Sequence, residues 1–376
     1  MKQLTSFESG ATVDVDTLVK LLGNSYSTLI NNGKPLMTFP STMMWGAPGV
    51  GKSQAVRQIG AYIQENTGKR VDVTDVRLLL FNPIDLRGIP VADAQRQLAV
   101  WLRPKIFDMD KSDKVINILL LDEISAAPQS VQAAAYQITL DRKVGEHQLP
   151  DNCIVIAAGN RITDKSVAYK MPKALANRLL HFNIESKFKS WKAWAIRSDI
   201  HPMVIGFLNF KQEDLNKFDP DKEDLAFPTP RSWEMVSNLL NNISDNINDV
   251  YPLIRGLVGT GVAAEFRTFA TLYNRLPSIK DIFDGSEFEV PDDPSVIYAL
   301  CSAMVSYVKN NQDDLRGIAN SIECMRNMPR DFAIMLIQDY QLISEKFKQK
   351  VRKMPEFAKL VHDNAAFLNG MNNEYN

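Results

Sequence analysis

Apolar and polar positions divide the chain into two parts with different patterns. In the first part, short apolar runs alternate with stretches in which apolar residues recur every three or four positions. The short runs predict buried strands, and the three- to four-residue spacing predicts helices with one apolar face. Strands that alternate with helices are typical of a parallel, doubly wound sheet. Residues 1–186 are therefore expected to form an α/β domain.

The same patterns predict the individual elements. A first helix is expected over residues 13–30, because Asn-Gly-Lys-Pro at residues 32–35 ends the helical spacing. Further helices are predicted over residues 53–66 and 128–140, and a small hairpin over residues 142–151. Strands are predicted at the apolar runs TMMW, DVRLLL, INILLL, CIVIAA and LHFNI.

Beyond residue 186 the strand pattern fades and the sequence becomes helical in its spacing. Proline- or glycine-containing breaks occur at residues 227–230, 256–261 and 291–294. We therefore expect an α-helical lid domain over residues 187–260, followed by a further helical C-terminal region over residues 261–376.

Composition and charge exclude several classes of protein. The 43 basic and 44 acidic side chains nearly cancel, so the chain as a whole would not attract nucleic acid or an anionic membrane. The cysteines are few and dispersed, which favours reduced thiols over disulfides, and the four histidines are too dispersed for a zinc site. Neither a signal peptide nor a membrane-spanning apolar run is evident. A cytoplasmic protein without membrane insertion is expected.

A glycine-rich segment directly follows the TMMW run and matches the pattern G-x-x-x-x-G-K-[ST]. Its glycines would let backbone N–H groups converge on phosphate oxygens, and the next helix would direct its positive end at them. A simple glycine-rich turn is a weak alternative, because strand, loop and helix follow in the required order. The predicted nucleotide-binding residues are Gly46, Ala47, Pro48, Gly49, Val50, Gly51, Lys52, Ser53 and Gln54.

Two adjacent carboxylates, Asp122 and Glu123, follow the INILLL run. With a phosphate loop upstream, Asp122 and the Ser53 hydroxyl would hold Mg²⁺, and Glu123 would polarise the water that attacks the γ-phosphate of ATP. A solvated strand end would explain the two carboxylates alone, but not their occurrence after a phosphate loop. ATP and Mg²⁺ are the predicted cofactors.

Further polar residues are candidates for catalysis. Asn160 follows the CIVIAA run, where its amide could orient the attacking water, although asparagine there is also a common turn former. Arg178 precedes the last strand and could stabilise the γ-phosphate in the transition state. Arg142 and Arg161 are rival candidates for that role. Arg231 begins a helix of the expected lid, from which it could reach the phosphates or simply occupy a first helical turn.

The order of these elements resembles that of AAA+ ATPases. GAPGVGKS looks like Walker A, LLLDE like Walker B, Asn160 like the first sensor, Arg178 like the arginine finger and Arg231 like the second sensor. Within that class, EISAAPQSVQAAAYQITLDRKVGE, AAGNR, MPKALANR and AFPTPRSWE are similar to sequences of the MoxR family. The resemblance covers residues 43–234 and weakens beyond them. It implies an AAA+ P-loop core, a helical lid and a ring homo-oligomer, usually a hexamer.

The same resemblance implies what the chain acts on. MoxR-like ATPases are chaperone-like remodellers of client proteins and often act with a von Willebrand factor A domain partner. The metal-binding D-x-S-x-S loop of such domains is absent here, so that partner would be a separate chain. The resemblance also implies insertions within residues 83–107 and at residues 142–151 that could face a central pore.

Two alternatives to a protein remodeller stay open. An AAA+ motor acting on nucleic acid would need basic pore loops, and the segment 83–107 has a modest excess of basic over acidic residues. Those residues are Arg87, Arg96, Arg103 and Lys105 against Asp85 and Asp93. A nucleotide-gated scaffold with negligible turnover is disfavoured, because Glu123 is present.

Overall fold

The computed structural model describes residues 11–364, except residues 94, 96, 165–168, 170, 274 and 288. The chain divides into two compact units, the first comprising residues 1–187 with 219–223, and the second residues 188–218 with 224–376. The predicted division into three domains, with boundaries after residues 186 and 260, stays a prediction. None of the described helices combines the length and apolarity needed to cross a membrane.

The first unit is built on a six-stranded sheet. Its strands are β1 (Ala11–Asp14), β2 (Thr42–Trp45), β3 (Arg70–Arg77), β6 (Val115–Asp122), β9 (Cys153–Gly159) and β10 (Leu180–Glu185). They are all parallel, in the order β1-β10-β2-β9-β6-β3. The central strands β2, β6 and β9 are buried almost throughout, which explains why they occur as continuous apolar runs. The predicted parallel α/β fold is confirmed.

Helices cover both faces of this sheet. The helices of the first unit are α1 (Val15–Asn31), α2 (Lys52–Thr67), α3 (Pro83–Arg87), α4 (Gln129–Asp141) and α5 (Lys173–Ala176). Gly60 of α2 lies against Val71 and Ile118 on one face of the sheet. On the other face, α4 contributes to a buried apolar cluster with Leu119 and Val155. Successive residues of a strand point to opposite faces, so the alternation of Ile118 and Leu119 places the two helices on opposite sides.

Two predicted elements were wrong in their bounds. Residues 13 and 14, predicted to begin the first helix, belong to β1, where Val13 pairs with Ile184 of β10. The side chain of Asp14 instead caps α1 by accepting a hydrogen bond from the backbone N–H of Thr17. The strand predicted at DVRLLL was displaced along the chain, because β3 begins at Arg70 and ends at Arg77, and Leu78–Leu80 form a 3-10 helix.

Two hairpins project from the first unit. The segment between β3 and β6 contains α3 and the antiparallel pair β4 (Ile89–Asp93) and β5 (Leu98–Leu102). The predicted second hairpin is confirmed as β7 (Lys143–Val144) and β8 (His147–Gln148). The hairpins touch, since Nε2 of His147 lies 2.7 Å from the carbonyl oxygen of Trp101. Arg96, counted among the basic residues of the first insertion, lies outside the described residues.

The second unit is helical in all of its described elements, as the sequence predicts. One cluster of buried apolar side chains, which extends in sequence from Trp191 to Leu360, forms its core. A buried ion pair also joins two helices of this core, with 2.7 Å between Nζ of Lys192 and Oδ2 of Asp339. The helices are α6 (Phe188–Arg197), α7 (Pro202–Phe210), α8 (Pro230–Asn242), α9 (Ile247–Val258), α10 (Thr260–Tyr273), α11 (Ile279–Phe283), α12 (Pro294–Asn310), α13 (Leu315–Met325), α14 (Arg330–Leu342), α15 (Glu345–Arg352) and α16 (Pro355–Asp363).

Candidate nucleotide site

The predicted phosphate loop connects β2 to α2. Gly49 and Gly51 have φ angles of 79° and 101°, in the left-handed region that favours glycine. A Cβ at Gly46 would lie 2.9 Å from the carbonyl oxygen of Ile184, so the close approach to β10 also requires glycine. Helix α2 begins at Lys52, directly after the last of these glycines. The strand, the glycine loop and the helix N-terminus therefore occur in the order that phosphate binding requires.

Lys52 brings the loop together with a distant strand. Its side chain is buried, and Nζ donates hydrogen bonds to the carbonyl oxygens of Gly46 and Ala47 at 2.6 and 3.0 Å. Nζ also donates to Oδ1 of Asn160, at 2.9 Å. Asn160 follows β9, the strand beside β2 in the sheet. Two predicted site residues, 108 positions apart in sequence, are thus in direct contact.

Ser53 and the first carboxylate also meet. Ser53 Oγ donates a 2.7 Å hydrogen bond to Oδ2 of Asp122, at the end of β6. A hydroxyl and a carboxylate at this separation form the oxygen donor set that Mg²⁺ prefers, so the residues present fit that ion. The pKa of Asp75 on the neighbouring strand β3 is raised, first by desolvation and then by the charge of Asp122. The sequence had not indicated that third carboxylate.

Glu123 occupies an unusual backbone conformation. Its φ angle of 58° is rare for a residue other than glycine and costs about 1–3 kcal/mol. Hydrogen bonds fix the turn on both sides: Glu123 N–H donates to Oδ1 of Asp122 at 2.9 Å, and Ile124 N–H donates to the Ala158 carbonyl at 3.0 Å. Such strain persists where the surrounding structure holds it, and it is concentrated at functional sites. The half-buried Glu123 therefore has a well-defined position beside Asp122.

Ser125 is a site residue that the sequence reasoning missed. Its Oγ accepts a 2.9 Å hydrogen bond from the backbone N–H of Asn160, and a Cβ at Gly159 would lie 2.8 Å from the same oxygen. The Ser125 carbonyl accepts from the backbone N–H of Tyr169 at 2.7 Å. Ser125 thus links the turn that carries Glu123 to the loop that carries Asn160. The only signal in the sequence was a small hydroxyl residue two positions after the carboxylate.

The three candidate arginines have different environments. Arg142 is buried and donates to the carbonyl oxygen of Cys153 at 2.5 Å. Arg161 is half-buried and forms a 3.3 Å ion pair with Asp164. Arg178 is exposed, in the turn between α5 and β10. Arg178 is thus the most exposed of the three.

The turn that carries Arg178 is anchored to the core. Trp45 Nε1 donates to Nδ1 of His181 at 2.9 Å, and Nε2 of His181 lies 2.7 Å from the Ala176 carbonyl oxygen. His181 therefore ties the end of α5 to β2, the strand that precedes the phosphate loop.

Arg231 lies in the second unit, in the first turn of α8, and its side chain is exposed. Thr229 caps this helix by accepting from Ser232 N–H at 3.1 Å, and Ser232 Oγ accepts from Thr229 N–H at 2.7 Å. The helix start predicted here is present. The role of Arg231 at the nucleotide stays a prediction.

Comparison with known proteins agrees with this geometry. Residues 41–181 match the model of the ATPase family associated with various cellular activities (AAA). A segment of 149 residues is 29% identical to Chaperone MoxR1 of Mycobacterium tuberculosis, covering 39% of this chain and 36% of that protein. The alignment thus spans about a third of the relative's length.

The solved structures that match the chain are more distant in sequence. A RuvB variant from Thermotoga maritima is 12% identical with a TM-score of 0.34, covering 77% of this chain and 81% of that one. NtrX from Brucella abortus is 16% identical with a TM-score of 0.31, covering 80% and 64% of the two chains. The fold assignment rests on the parallel sheet, the glycine loop and the family match. The parallel-sheet fold and these matches accordingly support a MoxR-like AAA+ ATPase domain over residues 41–181 of the chain.

Proposed function

We propose that the chain hydrolyses Mg·ATP in a ring homo-oligomer, a hexamer as the resemblance implies, and uses the energy to remodel a client protein. The observation that carries this proposal is the hydrogen-bonded contact of four predicted site residues from three separate segments. Lys52 contacts Asn160, and Ser53 contacts Asp122. A glycine turn without a function would not require that convergence.

Each of these residues has a role that its chemistry supports. Lys52 and the backbone N–H groups of the loop would bind the β- and γ-phosphates, and Ser53 and Asp122 would hold Mg²⁺. When bound, the metal would neutralise charge on the phosphates. Glu123 would accept a proton from the attacking water, and Asn160 would orient that water.

The ring and its partners extend this proposal beyond one subunit. Arg178 would enter the nucleotide site of the adjacent subunit, because it is exposed on an anchored turn. The client would be a protein, and a von Willebrand factor A domain on a separate chain would serve as adaptor. The similarity to Chaperone MoxR1 supports a chaperone-like role.

ATPase stimulation distinguishes a protein remodeller from a nucleic-acid motor. We expect a von Willebrand factor A domain chain from the same cell, or a client recovered with it, to raise the ATPase rate several-fold. DNA should have no effect, because the net charge of the chain is -1. The rate should be measured with each addition at low and high salt. Salt-sensitive stimulation by DNA, with no response to the adaptor, would favour the motor.

Ser125 provides a second test of the proposed site. Ser125→Ala should lower kcat by roughly 5-fold, because the lost hydrogen bond of about 1 kcal/mol fixes the backbone of Asn160. The dissociation constant for ATP should change little, since Lys52 and the glycine loop are intact. Ser125→Thr, which retains the hydroxyl, is the control, and the effect of Ser125→Ala should largely disappear in an Asn160→Ala background. If Ser125→Ala lowered kcat equally in the wild-type and Asn160→Ala backgrounds, Ser125 would not act through Asn160.

A further inference from the structure

Exposed aliphatic side chains are concentrated in the insertion between β3 and β6. Among the described residues of the first unit, eight of the thirteen exposed large apolar side chains lie at residues 79–106. Soluble proteins rarely leave so many apolar groups together in water unless the surface binds something. We call these eight side chains the insertion patch: Leu79, Leu80, Ile84, Ile89, Val91, Leu98, Leu102 and Ile106, with 37% to 74% of each exposed.

The β4–β5 hairpin presents one aliphatic face. Its register pairs Ile89 with Leu102, Val91 with Val100, and Asp93 with Leu98. Residues directly opposite each other in an antiparallel pair lie on the same face, and alternate residues along each strand share that face. Five of these six positions are therefore aliphatic and lie together. A solvated hairpin face would normally carry polar side chains there.

The patch continues into a concave groove beside α3. The groove has a volume of about 470 Å³, and Leu80, Ile84, Ile89, Leu102 and Ile106 supply most of its apolar lining. Gly88 forms part of its wall with a φ angle of 91°, and a Cβ there would lie 2.0 Å from the Leu102 carbonyl oxygen. Any other residue at this position would push β5 away from α3. The backbone thus maintains a groove that can receive apolar side chains.

Two cations adjoin the groove. Arg87 precedes Gly88, and Lys105 lies between the lining residues Pro104 and Ile106. Both side chains are exposed, and neither has an ion pair in the described part of the chain. Of the nearby carboxylates, Asp108 pairs with Arg103 at 2.5 Å, and Asp85, which lines the groove, accepts from Asn82 N–H at 2.8 Å. The rim is therefore complementary to carboxylates of a partner.

We propose that this groove binds a polypeptide segment whose apolar side chains are flanked by carboxylates. The inference rests on the proposed function, since it describes the client or adaptor of the same ATPase. The segment binds through its side chains and does not extend the hairpin as a third strand. Pro90 removes a backbone donor from β4, and the Trp101 carbonyl of β5 is already in contact with His147. A flat membrane surface would leave the concave groove unfilled.

Peptide binding to the full chain tests the proposal. The probe is a fluorescein-labelled peptide LLDELLDELLDE, compared with peptides in which Lys replaces the acidic residues or Ser replaces leucine. Fluorescence anisotropy should show binding of the acidic apolar peptide and at least 10-fold weaker binding of the other two. Ile84→Ser, Ile89→Ser and Leu102→Ser should each weaken binding about 10-fold, because each removes one buried contact. Arg87→Glu combined with Lys105→Glu should weaken it further.

Met37→Ser is the matched control, because Met37 is 55% exposed in the same unit but lies outside the patch. It should leave peptide binding unchanged. All of these variants should bind ATP as the wild type does, which shows that they fold. Peptide affinity that is unaffected by the three serine substitutions, or equal for the acidic and basic peptides, would overturn the proposal.

Other occupants of the groove give different results. Binding to phosphatidylglycerol vesicles that Ile89→Ser abolishes, without peptide binding, would assign the patch to a membrane and refute the proposal. Self-association that Ile89→Ser abolishes, again without peptide binding, would assign it to a second copy. A wild-type chain that binds the peptide but does not hydrolyse ATP would refute the proposed function and support this inference. A chain that hydrolyses ATP but does not bind the peptide would refute this inference and leave the proposed function intact.

Discussion

Lys52→Ala is expected to abolish nucleotide binding, whereas Glu123→Gln is expected to preserve binding and stop turnover. Lys52 brings a positive charge to the phosphates. A unit charge at about 4 Å contributes roughly 4 kcal/mol at an effective dielectric constant of 20, close to 1000-fold in affinity. Glu123 instead acts on the attacking water, and removal of a general base typically costs 10²–10⁴-fold in rate. Binding and catalysis should therefore separate cleanly between the two variants.

The measurements are the dissociation constant of a fluorescent ATP analogue and the steady-state rate of phosphate release. Glutamine has nearly the shape of glutamate, so the strained turn at residue 123 should be retained. Glu345→Gln is a matched control, because Glu345 is 78% exposed and lies in the second unit. It should alter neither quantity. Wild-type turnover by Glu123→Gln would show that the site has been assigned to the wrong carboxylate.

The convergence of the predicted groups was predictable for a simple reason. The loops after parallel strands lie at one edge of the sheet, so polar residues that directly follow β2, β6 and β9 had to be close together. The glycines of the loop also indicate its backbone conformation, because glycine adopts positive φ angles more readily than other residues. Lys52, Ser53, Asp122 and Asn160 could therefore be identified from motifs and strand ends alone.

Other features depend on geometry that the sequence pattern does not specify. The contact of Ser125 with Asn160 joins residues 35 positions apart and requires the register of β6 against β9. The edge strand β1 is only four residues long and is followed at once by α1, which begins at Val15, so the apolar pattern does not show where the strand ends. Burial also distinguishes the three candidate arginines from one another. Arg142 is buried and donates to the Cys153 carbonyl, and no sequence motif indicates that contact.

The exposed face of the β4–β5 hairpin illustrates the same limit. Apolar runs in a sequence usually predict buried strands, and IPVA and LAVWL fit that rule. Their exposure follows from the absence of any third strand or covering helix in the described part of the insertion. Sequence patterns can therefore locate apolar segments, but they do not distinguish a segment that packs in the core from one that is exposed at the surface.

Arg178→Ala is expected to reduce the ATPase rate by about 10³–10⁵-fold while leaving ATP affinity largely unchanged, as for arginines that act in trans in other nucleotide hydrolases. The guanidinium would stabilise charge that develops only in the transition state, so ground-state binding does not depend on it. The site that it completes belongs to the adjacent subunit. Hydrolysis should therefore require oligomer formation, and the rate per subunit should fall on dilution.

Mixing two inactive variants tests whether the site is shared. Lys52→Ala damages a subunit's own phosphate loop, whereas Arg178→Ala would damage the site of its neighbour. Mixed oligomers should then contain some composite sites with both groups intact, and partial activity should return. Arg316→Ala is the control, since Arg316 is an exposed arginine of the second unit and should have no effect. The shared-site mechanism would be refuted by a rate per subunit that stays constant down to a demonstrated monomer, with no recovery on mixing, because each subunit would then carry every catalytic group itself.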